Sequence, residues 1–169
     1  MSITIAEVQA FLESHRPFAA LPSATLKELA QQCELHAYES GEVVYSAGDE
    51  AARLYLIYSG AVALTGHTHG SAGMPRELTR LQKGDFFGGR VLLDSVRQLD
   101  AATPLQPTRL LALERSVMAR LARECESISA CIRLHNRSLK LLRRRGRQPG
   151  LRPQEPVTLL CVPHWVWLA

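Results

Sequence analysis

The sequence lacks an apolar run long enough to cross a membrane, since none reaches the roughly 18 residues that a spanning helix needs. It also lacks a secretory signal, because the opening MSITIAEVQAFLESHRPF carries acids early and has no basic start before an apolar core. These two absences predict a protein without a membrane span, located in the cytoplasm. With 46% hydrophobic and 21% charged residues, the 169-residue chain has the composition of one ordinary globular domain.

Paired cysteines, metal-binding spacings and catalytic motifs are absent as well. Since no CxxC pair occurs, we expect free and largely buried thiols. His67 and His69 in GHTHG have no further ligands nearby in the sequence, so they predict a solvated hairpin loop and no metal site. No nucleophile motif or Walker loop is present, so the sequence predicts no enzyme. The cysteines are Cys33, Cys125, Cys131 and Cys161.

The net charge of +4 conceals an acidic body and a basic C-terminal stretch. Residues 133–152 hold seven arginines, one lysine and no acid, whereas residues 1–132 hold 12 bases and 15 acids. A basic run attracts phosphate-rich partners only weakly unless a reading element accompanies it. Proline and glycine follow residue 145 in place of a helical pattern. The sequence therefore predicts the solvated basic end of a helix and argues against sequence-specific DNA binding.

The periodic patterns run in the order helix, strand, helix. Helical spacing covers residues 5–12 and resumes after Ser23, a candidate N-cap. Residues 36–113 are rich in Val, Tyr, Ile and Leu in short segments that glycines separate, which indicates an antiparallel barrel or sandwich. Helical spacing returns over residues 114–145, as one helix or as two with a break near Ser127. Pro104 and Pro107 are expected at strand ends or on an edge strand.

These patterns predict an α+β fold with a β-barrel core. We expect one domain over residues 1–143, followed over residues 144–169 by a basic linker and an apolar tail without a domain of their own. The tail either packs on the barrel or a partner, or is what remains of a lost domain. Turn positions with positive φ are predicted for the glycines between strands, which are Gly41, Gly48, Gly60 and Gly84.

Spaced motifs in the strand region carry a resemblance to a known family. They are Gly41–Glu42, Gly48–Asp49, Leu54–Tyr55, Gly60 and the turn Leu81–Gly88. Through them the chain resembles the cyclic nucleotide-binding domain shared by catabolite activator-type regulators, kinase regulatory subunits and gated channels. The resemblance covers about residues 10–140 and implies an antiparallel jelly-roll barrel flanked by N-terminal helices and a long C-terminal helix. The opening is also similar to the sensor of bacterial signalling proteins that carry CBS and nucleotidyltransferase-like domains.

The resemblance places the family's phosphate-binding cassette over a stretch that keeps its turn and loses its polar contacts. Gly89 stands where the family has a glutamate for the ribose hydroxyl. Asp100 falls in the slot of the arginine that pairs with the phosphate, where a carboxylate would repel the ligand. Arg97 could serve only if the loop is shifted, and Arg90 is the other local cation. The candidate ligand-binding residues are Phe87, Gly88, Gly89, Arg90, Val91, Arg97, Asp100, Ala101, Ala102 and Thr103.

Weak or absent binding of cyclic AMP and cyclic GMP is the expected result. A hydrogen bond to a charged group contributes about 1.5–3 kcal/mol, and both of the cassette's polar contacts are missing. The sequence thus predicts a regulatory signal-transduction module with a degenerate cassette, acting on a partner protein in trans. Two alternatives stay open: a functional cyclic nucleotide sensor, and a catabolite activator-type transcription regulator truncated before its helix-turn-helix.

The helix over residues 116–142 is a candidate seam for a homodimer. In the family that the chain resembles, the helix after the barrel commonly forms the dimer interface, which implies the same here. The alternative is that its apolar stripe packs only on its own barrel. The stripe consists of Leu121, Ile128, Ile132, Leu139 and Leu142.

Overall fold

Two helices precede the strands. In the computed structural model, which describes residues 3–67, 74–92 and 97–144, helix α1 spans Ile5–Ser14 and helix α2 spans Ser23–Gln32. Thr4 and Glu7 form a capping box at the start of α1. The prediction that Ser23 caps α2 is wrong, because Pro22 holds the cap position. The Ser23 hydroxyl instead accepts a hydrogen bond from the side-chain amide of Gln9 at 3.1 Å, which ties α2 to α1.

Seven strands in the described residues form two antiparallel sheets. One sheet has the order β1-β7-β2-β5 and the other the order β4-β3-β6. Every pairing within them is antiparallel, which confirms the predicted α+β jelly-roll barrel. The strands are β1 (Glu34–Tyr38), β2 (Arg53–Ser59), β3 (Ala61–Gly66), β4 (Arg76–Gln82), β5 (Phe86–Phe87), β6 (Ala101–Pro104) and β7 (Thr108–Glu114).

The turns between strands lie where the glycines predict them. All four predicted glycines have positive φ, between 84° and 99°. At Gly60, between β2 and β3, a Cβ would meet the Thr108 side chain and lie 2.8 Å from the Pro107 carbonyl oxygen, so space as well as φ requires glycine. Pro104 ends the edge strand β6 and Pro107 precedes β7, which confirms both proline predictions.

The C-terminal region consists of two helices and not one. Helix α3 spans Arg115–Glu124 and helix α4 spans Glu126–Arg144. The break falls at Cys125, whose extended φ of -134° ends α3, two residues before the predicted break at Ser127. The predicted basic linker and apolar tail, residues 144–169, lie outside the described residues except for Arg144.

Two clusters of buried side chains make up the core. The helix cluster packs α1, α2, α3 and the first half of α4 against the outer face of the sheet that holds β2 and β7. The barrel cluster lies between the two sheets, since successive residues of β2, such as Leu56 and Ile57, point to opposite faces and belong to different clusters. Helix α4 contributes to both, with Ile128 and Ile132 in the helix cluster and Leu139 and Leu142 in the barrel cluster.

Three of the four cysteines lie in the described residues. Cys33, Cys125 and Cys131 are unpaired, as predicted, but they are half-buried and not fully buried. Burial raises the pKa of the Cys33 thiol to about 12, so this thiol is protonated at neutral pH. His67 is exposed just after β3, whereas His69 and Cys161 lie outside the described residues.

Candidate functional site

The cassette turn is built by close packing around Gly88. Strand β5 leads through Gly88, with φ of 77°, into a short 3-10 helix over Gly89–Leu92. A Cβ on Gly88 would lie 2.6 Å from the Arg53 carbonyl oxygen. Phe87, fully buried, stacks on the Tyr55 ring with 5.2 Å between ring centroids. The turn that the sequence predicts is therefore present and sterically fixed.

Helix α4 contacts the position where the family has its glutamate. The Asn136 side-chain amide donates a hydrogen bond to the Gly89 carbonyl at 3.1 Å. A Cβ on Gly89 would lie 3.1 Å from Ile132 Cγ2 and 3.2 Å from Asn136 Oδ1. Because these distances are already tight, even one methyl group at residue 89 would require Ile132 or Asn136 to shift by a few tenths of an ångström.

Asp100 is buried and paired with an arginine from α4. Its side chain is only 3% exposed, and one carboxylate oxygen accepts a hydrogen bond from the Arg143 guanidinium at 2.8 Å. The other oxygen accepts from the Tyr45 hydroxyl at 3.3 Å. Burial raises the pKa of Asp100, while Arg143 and the Tyr45 hydrogen bond oppose that rise. The position to which the resemblance assigns the cassette's arginine thus holds an acid that binds a cation of the same chain.

The two other candidate cations both donate hydrogen bonds to backbone carbonyl oxygens. Arg90 donates from Nε to the Arg97 carbonyl at 2.7 Å, and Arg97 donates to the Gly48 carbonyl at 2.7 Å. Burial and the nearby charge of Arg143 lower the pKa of Arg90, whereas Asp100 raises it. Arg90 therefore lies within electrostatic reach of the Asp100–Arg143 pair, and Arg97 is held at the exposed edge of the site.

The other candidate residues hold structural positions. Val91, 1% exposed, belongs to the helix cluster. Ala102 is fully buried in the barrel cluster on β6. Its half-buried neighbours Ala101 and Thr103 pair across the strands with Thr65 and Ala63 of β3. None of these three side chains on β6 offers a charge to a ligand.

Sequence reasoning missed Tyr45, Asn136 and Arg143, which supply the polar contacts of this site. Arg143 lies in the basic run that we predicted to be solvated, yet its side chain is only 13% exposed. One signal was present in the sequence. Leu142 and Arg143 follow Leu139 by three and four residues, so the three side chains share one helix face. The sequence around Asp100 gave no hint of its partner 43 residues later.

Comparison with known proteins identifies the family. A family model of the cyclic nucleotide-binding domain matches residues 35–125, which is more than half of the chain. The chain therefore belongs to the cyclic nucleotide-binding domain family.

Among curated proteins, the chain is 35% identical over 107 residues to the cyclic AMP receptor protein of Thermus thermophilus, covering 63% of this chain and 46% of that protein. It is 29% identical over 119 residues to the cGMP-dependent protein kinase egl-4 of Caenorhabditis elegans, covering 70% of this chain and 15% of the kinase. The chain thus spans less than half the length of both relatives.

Among solved structures, the sensor domain of the transcriptional regulator DNR from Pseudomonas aeruginosa superposes with a TM-score of 0.68 at 21% identity. The match covers 88% of this chain and 97% of that domain, so the two share a fold. Within the described residues, no helix combines the length and apolarity of a membrane span. The same residues contain no group of three His, Cys, Asp or Glu side chains placed to hold a metal ion.

Proposed function

We propose that this protein is a regulatory signal-transduction module whose cassette is degenerate and which acts on a partner protein in trans. The observation that carries the proposal is the state of Asp100, a buried carboxylate paired with Arg143 in the arginine slot. A cyclic phosphate at this position would meet a negative charge where its relatives have a positive one, and Gly89 offers no carboxylate to a ribose. The unpaired thiols of the described residues support a reducing location such as the cytoplasm.

Neither catalysis nor sequence-specific DNA binding forms part of this proposal. The relatives named as kinases match over a small part of their length, and the seven arginines of residues 133–152 come without a reading element in the sequence. A homodimer through α3 and α4 is part of the proposal, although the residues that would form it differ from those that the sequence predicts.

A functional cyclic nucleotide sensor is the second candidate. It is favoured by the intact turn through Gly88 and the 3-10 helix, whose backbone amides are the family's phosphate ligands. The names of the relatives, a cyclic AMP receptor protein and a cGMP-dependent kinase, point the same way. A truncated transcription regulator has no support in the described residues beyond the shared fold.

Calorimetric titration with cyclic AMP and cyclic GMP separates the two candidates. For a degenerate cassette we expect no saturable heat below about 1 mM ligand. This limit corresponds to a binding free energy weaker than about 4 kcal/mol. A thermal-shift panel of cyclic nucleotides, cyclic dinucleotides and inorganic anions runs beside it, because any ligand that prefers the folded state raises Tm. A dissociation constant in the low micromolar range for either cyclic nucleotide would establish the sensor and end the first proposal.

A further inference from the structure

The last turns of α4 enter the barrel beside the cassette. Leu139 and Leu142 are 6% and 7% exposed and belong to the barrel cluster together with Tyr45, Phe87 and Ala102. Arg143, which follows directly, reaches the Asp100 carboxylate at 2.8 Å. The first half of α4 stays outside the barrel in the helix cluster. One helix therefore runs from the outer face of the sheet to the ligand site.

Both departures of the cassette from its family pattern face this helix. Gly89 leaves space for Ile132 and Asn136, since even a Cβ would approach them to 3.1 and 3.2 Å. Asp100 supplies the charge that Arg143 needs. A glutamate at residue 89 would occupy the space of α4, and an arginine at residue 100 would repel Arg143. Both Gly89 and Asp100 are thus suited to contact with α4.

We propose that the cassette has become a docking site for the C-terminal end of α4, with the Arg143 guanidinium as its ligand and Asp100 and Tyr45 as its receptor. The proposal rests on the proposed function, in which the cassette no longer binds a cyclic nucleotide tightly. It goes further by naming what the site binds: a guanidinium group, presented on an apolar helix face by residues 139–143 of the same chain.

The chemistry of the pair explains why the site needs this occupant. A carboxylate as deeply buried as Asp100 is costly unless a cation and hydrogen bonds satisfy it. The Tyr45 hydroxyl donates one hydrogen bond, and the guanidinium provides the charge. Release of the α4 end would take the guanidinium away from Asp100, and the loss of this charge opposes release.

Hydrogen exchange read by mass spectrometry tests the docking directly, on the full chain and without any nucleotide. Arg143→Gln should speed exchange of the amides of residues 138–144 by at least tenfold, with the amides of β2 and β7 unchanged. Lys140→Gln is the matched control, since it removes a charge from an exposed side chain of the same helix end; it should change the same amides by less than twofold. Equal exchange in the two variants would overturn the proposal.

Exchanging the charges of Asp100 and Arg143 provides a rescue experiment. Asp100→Arg alone should release residues 138–144, and Asp100→Arg with Arg143→Asp should restore at least half of the lost protection. If the single variant also loses protection in β2 and β7, the neutral pair Asp100→Asn with Arg143→Gln takes its place. Wild-type protection of residues 138–144 in that variant would show that the α4 end stays in place without the ion pair, and would refute the guanidinium as the ligand that holds it. Tight cyclic AMP binding in the separate titration would instead refute the proposed function, so the two failures are distinguishable.

Discussion

His135 is a buried base on helix α4. It lies in α4 with 3% of its surface exposed, its ring is 4.6 Å from the Phe86 ring centroid, and its Nε2 has no hydrogen-bond partner among the described residues. Burial lowers the pKa of His135 from its ordinary value of 6.5 to about 4. The native protein therefore holds this imidazole neutral over a pH range in which the unfolded chain protonates it.

Acid should destabilise the protein through this residue. As the pH falls below 6.5 the unfolded state takes up a proton that the native state takes up only near pH 4, so the free energy of unfolding falls across that window. Between pH 7.5 and pH 5 the expected loss from His135 is about 2 kcal/mol. Urea unfolding at both pH values measures it, with His135→Leu as the comparison.

The comparison with His135→Leu isolates this contribution. Burial raises the pKa of Asp85 and of Asp100, so these two acids change stability in the opposite direction over part of the same range. Both are present in wild type and variant, and their effect cancels in the difference. The same acid loss in His135→Leu as in wild type would assign the pH dependence to other groups.

At the residue scale, the sequence predicts local conformation better than long-range pairing. The four turn glycines were predictable because positive φ is a property of the residue and its neighbours. The partner of Asp100 was not, because a charge pair between residues 43 positions apart depends on where the barrel places both. The sequence shows a glycine and an acid where the resemblance expects a glutamate and an arginine, but it does not reveal their contacts with α4.

At the scale of elements, the contact of α4 with the 3-10 helix depends on the absence of a side chain at residue 89. Gly89→Glu should destabilise the protein by about 1–3 kcal/mol, because a larger side chain forces Ile132 and Asn136 away from their positions. Gly89→Ala, whose methyl group needs only a shift of a few tenths of an ångström, is the matched control and should cost less. Urea midpoints with unchanged m-values measure both.

The outcome would be informative in either direction. If Gly89→Glu were as stable as the wild type, α4 would not be held against the 3-10 helix in solution. The helices themselves were predictable from apolar spacing, including a break in the C-terminal region. The surface that each helix covers was not, because an apolar stripe specifies burial and leaves its partner open. The stripe on α3 and α4 packs on the chain's own barrel and helices.

At the scale of the molecule, this packing determines which residues are free to form an interface between two copies of the chain. Leu121, Ile128, Ile132, Leu139 and Leu142 are all buried within one chain. Ile132→Glu would therefore disrupt the core and cannot serve as a test of dimerisation. The large apolar side chains that α4 leaves exposed are Leu134 and Leu141, at 37% and 54%. They are seven residues apart, on one face of the helix.

A homodimer through this face is the expected assembly. Light scattering at tens of micromolar protein should give a mass near twice 18.7 kDa, and Leu134→Glu with Leu141→Glu should halve it without lowering Tm, because both side chains are already exposed. Leu105→Glu, at an exposed leucine outside α4, should leave the mass unchanged. A monomer mass for the wild type would remove this assembly.

The Asp100–Arg143 pair also affects how tightly any other molecule could bind in the cassette. Arg143 is covalently tethered to its receptor, so its effective concentration at the site does not fall when the protein is diluted. An incoming ligand competes with this tethered group and binds only the fraction of molecules in which the α4 end is undocked. Its apparent dissociation constant is the intrinsic constant divided by that fraction. A site with a resident competitor therefore binds any ligand more weakly than the intrinsic constant alone predicts, by a factor that the helix itself sets.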